Sequence, residues 1–217
     1  MFPVIVSFPL TDDPSTSLLA WTTTPWTLPS NLALCVNPNY TYIKIEDQER
    51  KQNFILHENL LRTLYKDPKK AKFKKLGQYK GSEMKGWRYV PLFDYFLEKV
   101  GVHTDSSFMI KRSLFIAQYE ARAFRVLVDN YVTDADGTGI VHQAPAFGDD
   151  DHRVLLAHGV ISAEEMPPCP IDDSGKFTSE VTDFVGQHVK VCALGFVGHY
   201  IILLIAERPQ TKRSRRS

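Results

Sequence analysis

Three consecutive threonines, Thr22, Thr23 and Thr24, lie between Trp21 and Trp26 in the stretch "WTTTPWTLPSN", residues 21–31. One threonine on a strand needs no special account, because a β-branched side chain suits a pleated surface and its hydroxyl bonds locally. Three in a row, with Pro25 and Pro29 directly after, gather hydroxyls where a strand must end. A second stretch, "GTGIVHQAPAFGDDDH" (residues 137–152), brings together two glycines, an imidazole and three carboxylates. Hydroxyls, carboxylates and an imidazole are the groups that hold polar substrates and handle protons. Each also has a plainer account. Capping suffices for Asp149 or Asp150, because the start of a helix favours negative charge. His142, flanked by Ile140 and Val141, reads on spacing alone as a satisfied core histidine.

The elements that must position these groups are mostly strands. "PVIVSFPL", "SLLAWTTT", "LALCVN", "YTYIKIE" and "RYVPLF" are β-type segments separated by Pro, Asn, Asp and Gly, and "FRVLVDNYVT" and "IVHQA" continue the theme. The spacing of Phe54, Leu60, Leu61 and Leu64 predicts a helix over residues 53–66. "DDDHRVLLAHG" predicts another, ended by Gly159. Residues 134–139 read as a turn, with Gly137 and Gly139 free to adopt angles that side chains forbid. Many short strands with few helices indicate a mixed α/β chain: a small distorted β-barrel core with peripheral helices.

Composition narrows the possible partners. The 217 residues, 43% hydrophobic with a formal net charge of +1, suffice for a buried core and offer no whole-surface attraction to polyanions. One local exception is "KDPKKAKFKK", residues 66–75, with six lysines in ten positions. It reads either as a solvated loop or as a track for a phosphate backbone. Cys35, Cys169 and Cys192 lie far apart, so neither zinc nor a disulfide framework is expected. Without a secretory signal the chain reads as cytoplasmic. The uncharged run 191–206 is short of the roughly 20 apolar residues that a membrane span needs, so no membrane partner is expected.

Together the two stretches resemble the editing domain inserted in class I aminoacyl-tRNA synthetases, specifically that of isoleucyl-tRNA synthetase of the eukaryotic cytosolic type. The family's W-T-T-T-P-W-T-L-P-x-N is present whole from Trp21 to Asn31, and its G-T-G-x-V-H-x-A-P-x-x-G-x-x-D from Gly137 to Asp151. The likeness continues through "SNLALCVNPNYTYIKI", "YVPLFDYF", "VLVDNYV" and "PPCPIDDSGKFTSEVTDFVGQHVK". It implies an editing domain over residues 1–190, with an atypical insertion at about 100–121 and an atypical C-terminal tail at 191–217. Both atypical segments open Lys-Val, as translation through a retained intron would.

The implied activity is hydrolysis of valyl-tRNA(Ile). Valine and isoleucine differ by one methylene, worth only about 1–3 kcal/mol in an apolar pocket, so a second site must remove misattached valine. By family pattern Asp151 holds the α-ammonium of that amino acid. Thr22, Thr23 and Thr24 line the pocket, His142 helps to exclude the larger side chain, Asn31 supports bound substrate, and Trp26 packs beneath the wall. The family favours activation by the free ribose hydroxyl over a protein base. Editing is expected to need no metal or other cofactor, since ATP and magnesium belong to the synthetic domain, whose His-x-Gly-His and Lys-Met-Ser-Lys-Ser signatures are not found here. Expected partners are the acceptor end of tRNA(Ile) and the rest of a synthetase, with the chain itself a monomer. The alternative is a non-catalytic tRNA-binding or fold-only fragment with an inactive pocket.

Overall fold

The computed structural model describes residues 3–93, 95, 121–191 and 201–204. Period-two alternation builds its first strands. In β1 (Val4–Pro9) Val4, Val6 and Phe8 join one apolar cluster and Ile5 another; in β2 (Thr16–Thr22) Leu18 and Ala20 join the first and Leu19 the second. Side chains at alternate positions point to opposite faces, so this sheet is covered on both. β1 and β2 pair antiparallel, Val4 opposite Thr22 and Pro9 opposite Ser17.

The strands β3 (Ala33–Val36), β4 (Thr41–Asp47), β5 (Gln52–His57), β6 (Phe73–Lys80), β7 (Arg125–Val128), β8 (Ile140–Gln143) and β9 (Ile201–Leu204) complete two sheets. The six-stranded sheet has the order β6-β4-β5-β2-β1-β9, and the three-stranded one β7-β3-β8. The larger apolar cluster holds residues of both sheets together with Val154 and Leu155 from the helix Asp149–Ala157.

The expected mixed α/β class is what folds, but the described strands form two open sheets instead of a closed barrel. The reason lies in the threonine stretch. Pro25 opens a 3-10 helix, Pro25–Ser30, directly after β2 and Pro29 lies within it, so the chain leaves one sheet and enters the next at Ala33 without a continuous ladder.

The helix expected over residues 53–66 is strand in its first five residues, 53–57, and helical only from Glu58 to Leu64. Phe54, Ile55 and Leu56 pair with Ile45, Lys44 and Ile43 of β4 and are buried on both faces, and only α1 (Leu61–Leu64), preceded by a 3-10 turn, is α-helical. Burial on two sides makes such a strand a continuous apolar run, which spacing alone confuses with a helix. The segment "RYVPLF" makes isolated bridges, Leu10 with Tyr89 and Arg88 with Arg125, in place of a strand. Lys74 and Lys75, read as part of a loop, lie on the edge strand β6.

The helix from Asp149 forms as expected; it is named α2 here, and Gly159 follows it at φ +64°. Of the expected tail, Ile201–Leu204 pairs antiparallel with β1. The rest of it beyond Val191, and nearly all of the expected insertion, lies outside the described residues. No helix among the described residues is long and apolar enough to cross a membrane.

Candidate active site

The end of β2, the turn before β8 and the first turn of α2 converge on a cavity of about 550 Å³. Its wall includes Thr22, Thr23, Thr24, Trp26, His142 and Asp151, six of the seven residues singled out from the sequence. The seventh, Asn31, is placed outside the lining. Its amide donates to Ala33 O at 2.9 Å and its Oδ1 accepts from the Tyr89 hydroxyl at 2.6 Å, which ties the 3-10 helix to the start of β3.

The threonines are held by one another. Thr22 Oγ1 accepts from Thr24 N at 3.0 Å and lies 3.3 Å from Thr24 Oγ1, which folds the chain back on itself at the strand end. Thr22 is buried, Thr24 half-buried and Thr23 exposed on the cavity rim. Thr27 adds a brace from the next turn: its hydroxyl donates to Thr24 O at 2.9 Å and meets His142 Nε2 at 3.1 Å.

Strand pairing places His142. β8 lies antiparallel to β3 with His142 opposite Leu34, and burial lowers the imidazole's pKa from its ordinary 6.5 to about 4. At neutral pH the ring is therefore uncharged. Its Nδ1 has no partner among the described residues. The glycines before β8 fix where that strand begins. Gly139 has φ +74°, and a Cβ there would come within 2.4 Å of His57 Cβ. Tyr42 donates to Gly139 O at 2.8 Å, so the turn is clamped to β4 as well. Gly137, at φ +82°, lies against Trp21, where a Cβ would sit 3.3 Å from that side chain.

Asp151 enters from α2. Its Oδ2 accepts from Ala144 N at 2.9 Å, and a Cβ on Gly148 would lie 3.1 Å from its Cγ and Oδ2. Burial, with the neighbouring charge of Asp150, raises its pKa from 3.8 to about 6 against the pull of hydrogen bonds from Ala144 and Tyr131. A carboxylate kept half out of water beside an uncharged imidazole and a row of hydroxyls is suited to binding a small cation.

Sequence reasoning missed Tyr131. It lines the cavity, accepts from Gln143 Nε2 at 2.6 Å, and its hydroxyl opposes the rise in the Asp151 pKa. Arg153, bonded to Asp129 at 2.9 and 3.2 Å and to Asp150 at 3.1 Å, stands over the Tyr131 ring with its guanidinium 5.8 Å from the centroid. Nothing in the run "VDNYV" marks this tyrosine, because its partners come from β8 and α2. No cluster of three or more His, Cys, Asp or Glu among the described residues is placed to hold a metal.

A scan against protein-family models finds no match. Curated proteins do match. The cytoplasmic isoleucine–tRNA ligase of Mus musculus is 51% identical over 187 residues, which is 86% of this chain and 13% of that protein. Those of Saccharomyces cerevisiae and Schizosaccharomyces pombe are 48% and 47% identical over the same length, covering 16% of each. The chain thus spans a small part of these relatives. Among solved structures, the crystal structure of GlLeuRS-CP1 aligns at TM-score 0.59 and 14% identity over 97% of this chain and 99% of that one. The cytosolic leucyl-tRNA synthetase editing domain of P. knowlesi gives 0.59 and 12%, over 91% and 93%. At such identities the likeness is one of fold.

Proposed function

The chain belongs to the isoleucine–tRNA ligase family, as a segment with the fold of the synthetase editing domain, and from that premise we propose that its cavity hydrolyses the aminoacyl ester of valyl-tRNA(Ile). The observation that carries this is Asp151, a carboxylate with a raised pKa at the cavity wall, one oxygen held by Ala144 N and facing a rigid threonine rim.

In this reading the Asp151 carboxylate takes the α-ammonium of the misattached valine through charge-assisted hydrogen bonds. The valine side chain sits against Thr22, Thr24 and His142, whose positions are locked by bonds to Thr24 N, Thr27 and the strand pairing. A wall that cannot give by a methylene excludes isoleucine more firmly than a soft apolar pocket would. Water adds to the ester carbonyl, the acyl carbon–oxygen bond breaks, and valine leaves with the tRNA hydroxyl regenerated. The free ribose hydroxyl, positioned beside the carbonyl, orients that water, and threonine hydroxyls stabilise the developing oxyanion. His142, uncharged down to about pH 4, shapes the pocket and acts as no acid. The tRNA partner and a cytoplasmic location belong to the same proposal.

The test is deacylation of valyl-tRNA(Ile) against isoleucyl-tRNA(Ile) by the purified chain, with Asp151→Ala alongside. Selective release of valine, lost in the variant, is expected. A folded protein that releases neither amino acid would refute hydrolysis and leave the non-catalytic alternative.

A further inference from the structure

Among the described residues the cavity wall contains no lysine or arginine and two aspartates, Asp136 and Asp151. Nothing in it can neutralise a polyanion's phosphates. Positive charge is concentrated elsewhere: residues 62–80 hold eight Lys and Arg against one Asp, in a chain whose net charge is +1. Lys69, Lys70, Lys72, Lys74, Lys75 and Lys80 are all exposed. The single acid, Asp67, reaches Lys70 at 3.8 Å. Among the described residues the ammonium groups of Lys75 and Lys80 bond neutral oxygens, of Gln78, Asn39 and Thr41, while the Glu83 carboxylate is taken by the backbone N–H of Lys80. On the neighbouring strand Asp47 is taken up by Arg50, and Glu46 stands opposite Lys74.

Topology orients this patch. β2, ending at Thr22, runs parallel to β5, whose last residue, His57, bonds Thr138 O on the cavity wall at 2.8 Å. Thr41 and Tyr42 of β4 lie at that same end, Tyr42 opposite His57, and Lys80 lies opposite Thr41. β6 therefore ends at the cavity end of the sheet and begins at the far end, where Phe73 faces Asp47. Eight residues of strand span about 25 Å.

We propose that the lysines of β6 and the loop before it form a rail for an RNA phosphate backbone, running away from the cavity and holding the nucleic acid whose end the cavity receives. The inference rests on the hydrolase reading for the identity of the RNA, though not for the binding itself. Lysines on an edge strand also serve to block edge-to-edge pairing of sheets. Substitution by glutamate separates the two roles, because either charge blocks pairing and only lysine binds phosphate.

The experiment compares the chain with K69E/K70E/K74E/K75E and with K190E, an exposed control outside residues 62–80, using a 12-base-pair RNA duplex with a single-stranded 3′ end. Fluorescence anisotropy between 50 and 200 mM salt should give a log–log slope of about −4 for the unaltered chain, reduced by about 3 in the quadruple variant with at least tenfold weaker binding, and unchanged in K190E. In deacylation the variant should raise KM about tenfold with kcat within twofold. An unchanged slope in a variant with native circular dichroism would overturn the rail even if hydrolysis proceeds. A lysine-dependent slope without hydrolysis would uphold the rail and refute the hydrolase. Equal lysine-dependent binding to vesicles of 30% phosphatidylserine would overturn the RNA assignment in favour of a general anionic surface. Should the glutamates disturb folding, K69Q/K70Q/K74Q/K75Q gives the same decision, because each lost charge removes its share of the slope.

Discussion

Thr27 and His142, 115 residues apart in the chain, share a hydrogen bond of 3.1 Å at the back of the cavity. The Thr27 proton is already given to Thr24 O, so Nε2–H must be the donor to Thr27 Oγ1. The tautomer is thereby fixed, and Nδ1 is left as a bare acceptor.

Thr27→Val keeps the shape and removes both bonds. Leaving Nε2–H unsatisfied should cost about 1–3 kcal/mol in urea unfolding. Nitrogen NMR should show the Nε2–H tautomer of His142 in the unaltered protein and a tautomer mixture in the variant; a mixture already present before substitution would contradict the assignment.

Asp151 and His142 set the pH dependence in opposite senses for stability and in the same sense for binding. The folded-state pKa of Asp151 is raised from 3.8 to about 6, so its contribution to stability is present below 3.8 and lost as pH rises through 6. That of His142 is lowered from 6.5 to about 4, so its contribution is present above 6.5 and lost as pH falls through 4. Binding of an ammonium needs the carboxylate ionised and the imidazole uncharged. The acid limb of kcat/KM should therefore follow one proton at about pH 6. Asp151→Asn should abolish deacylation while stabilising the fold at pH 7 by about 1–2 kcal/mol, a discounted share of the 1.36 kcal/mol per pH unit, because the carboxylate is partly exposed. Equal melting temperatures at pH 7 and the same gap at pH 3 would rule this out.

Tyr131→Phe removes the hydroxyl that accepts from Gln143 and lowers the Asp151 pKa. Since that hydroxyl favours the ionised carboxylate, its loss should move the acid limb of kcat/KM upward by about half a unit to one unit, with little change in rate well above it. A pH profile that stays in place would reduce Tyr131 to a packing residue.

Gly139→Ala meets two obstacles, a φ of +74° and a Cβ position 2.4 Å from His57 Cβ. We expect a loss of at least about 2 kcal/mol, measured by thermal unfolding. Gly159→Ala, with a φ of +64° and open space around it, should cost only about 1 kcal/mol. Equal losses would show that the backbone angle alone decides, and that contact with β5 is unimportant.

The residues of the cavity were legible in the sequence because the two motifs that carry them are local: hydroxyls, glycines and carboxylates at fixed short spacing resemble one synthetase family, and α2 follows from its acidic first turn. The alternation in β1 and β2 was equally plain, since a period of two marks strands directly. Distances across the chain were not. Residues 53–57 are strand because Phe54, Ile55 and Leu56 are sandwiched between β2 and β4, a fact of tertiary pairing that an apolar run cannot declare. The same holds for Asn31, drawn out of the cavity by Tyr89, and for Tyr131, drawn into it beside Asp151 and Gln143. Types and local spacing are written in the chain, whereas the partner that satisfies each buried polar group is chosen by the packing of two sheets and a helix, because a group removed from water must bond whatever the fold brings within reach.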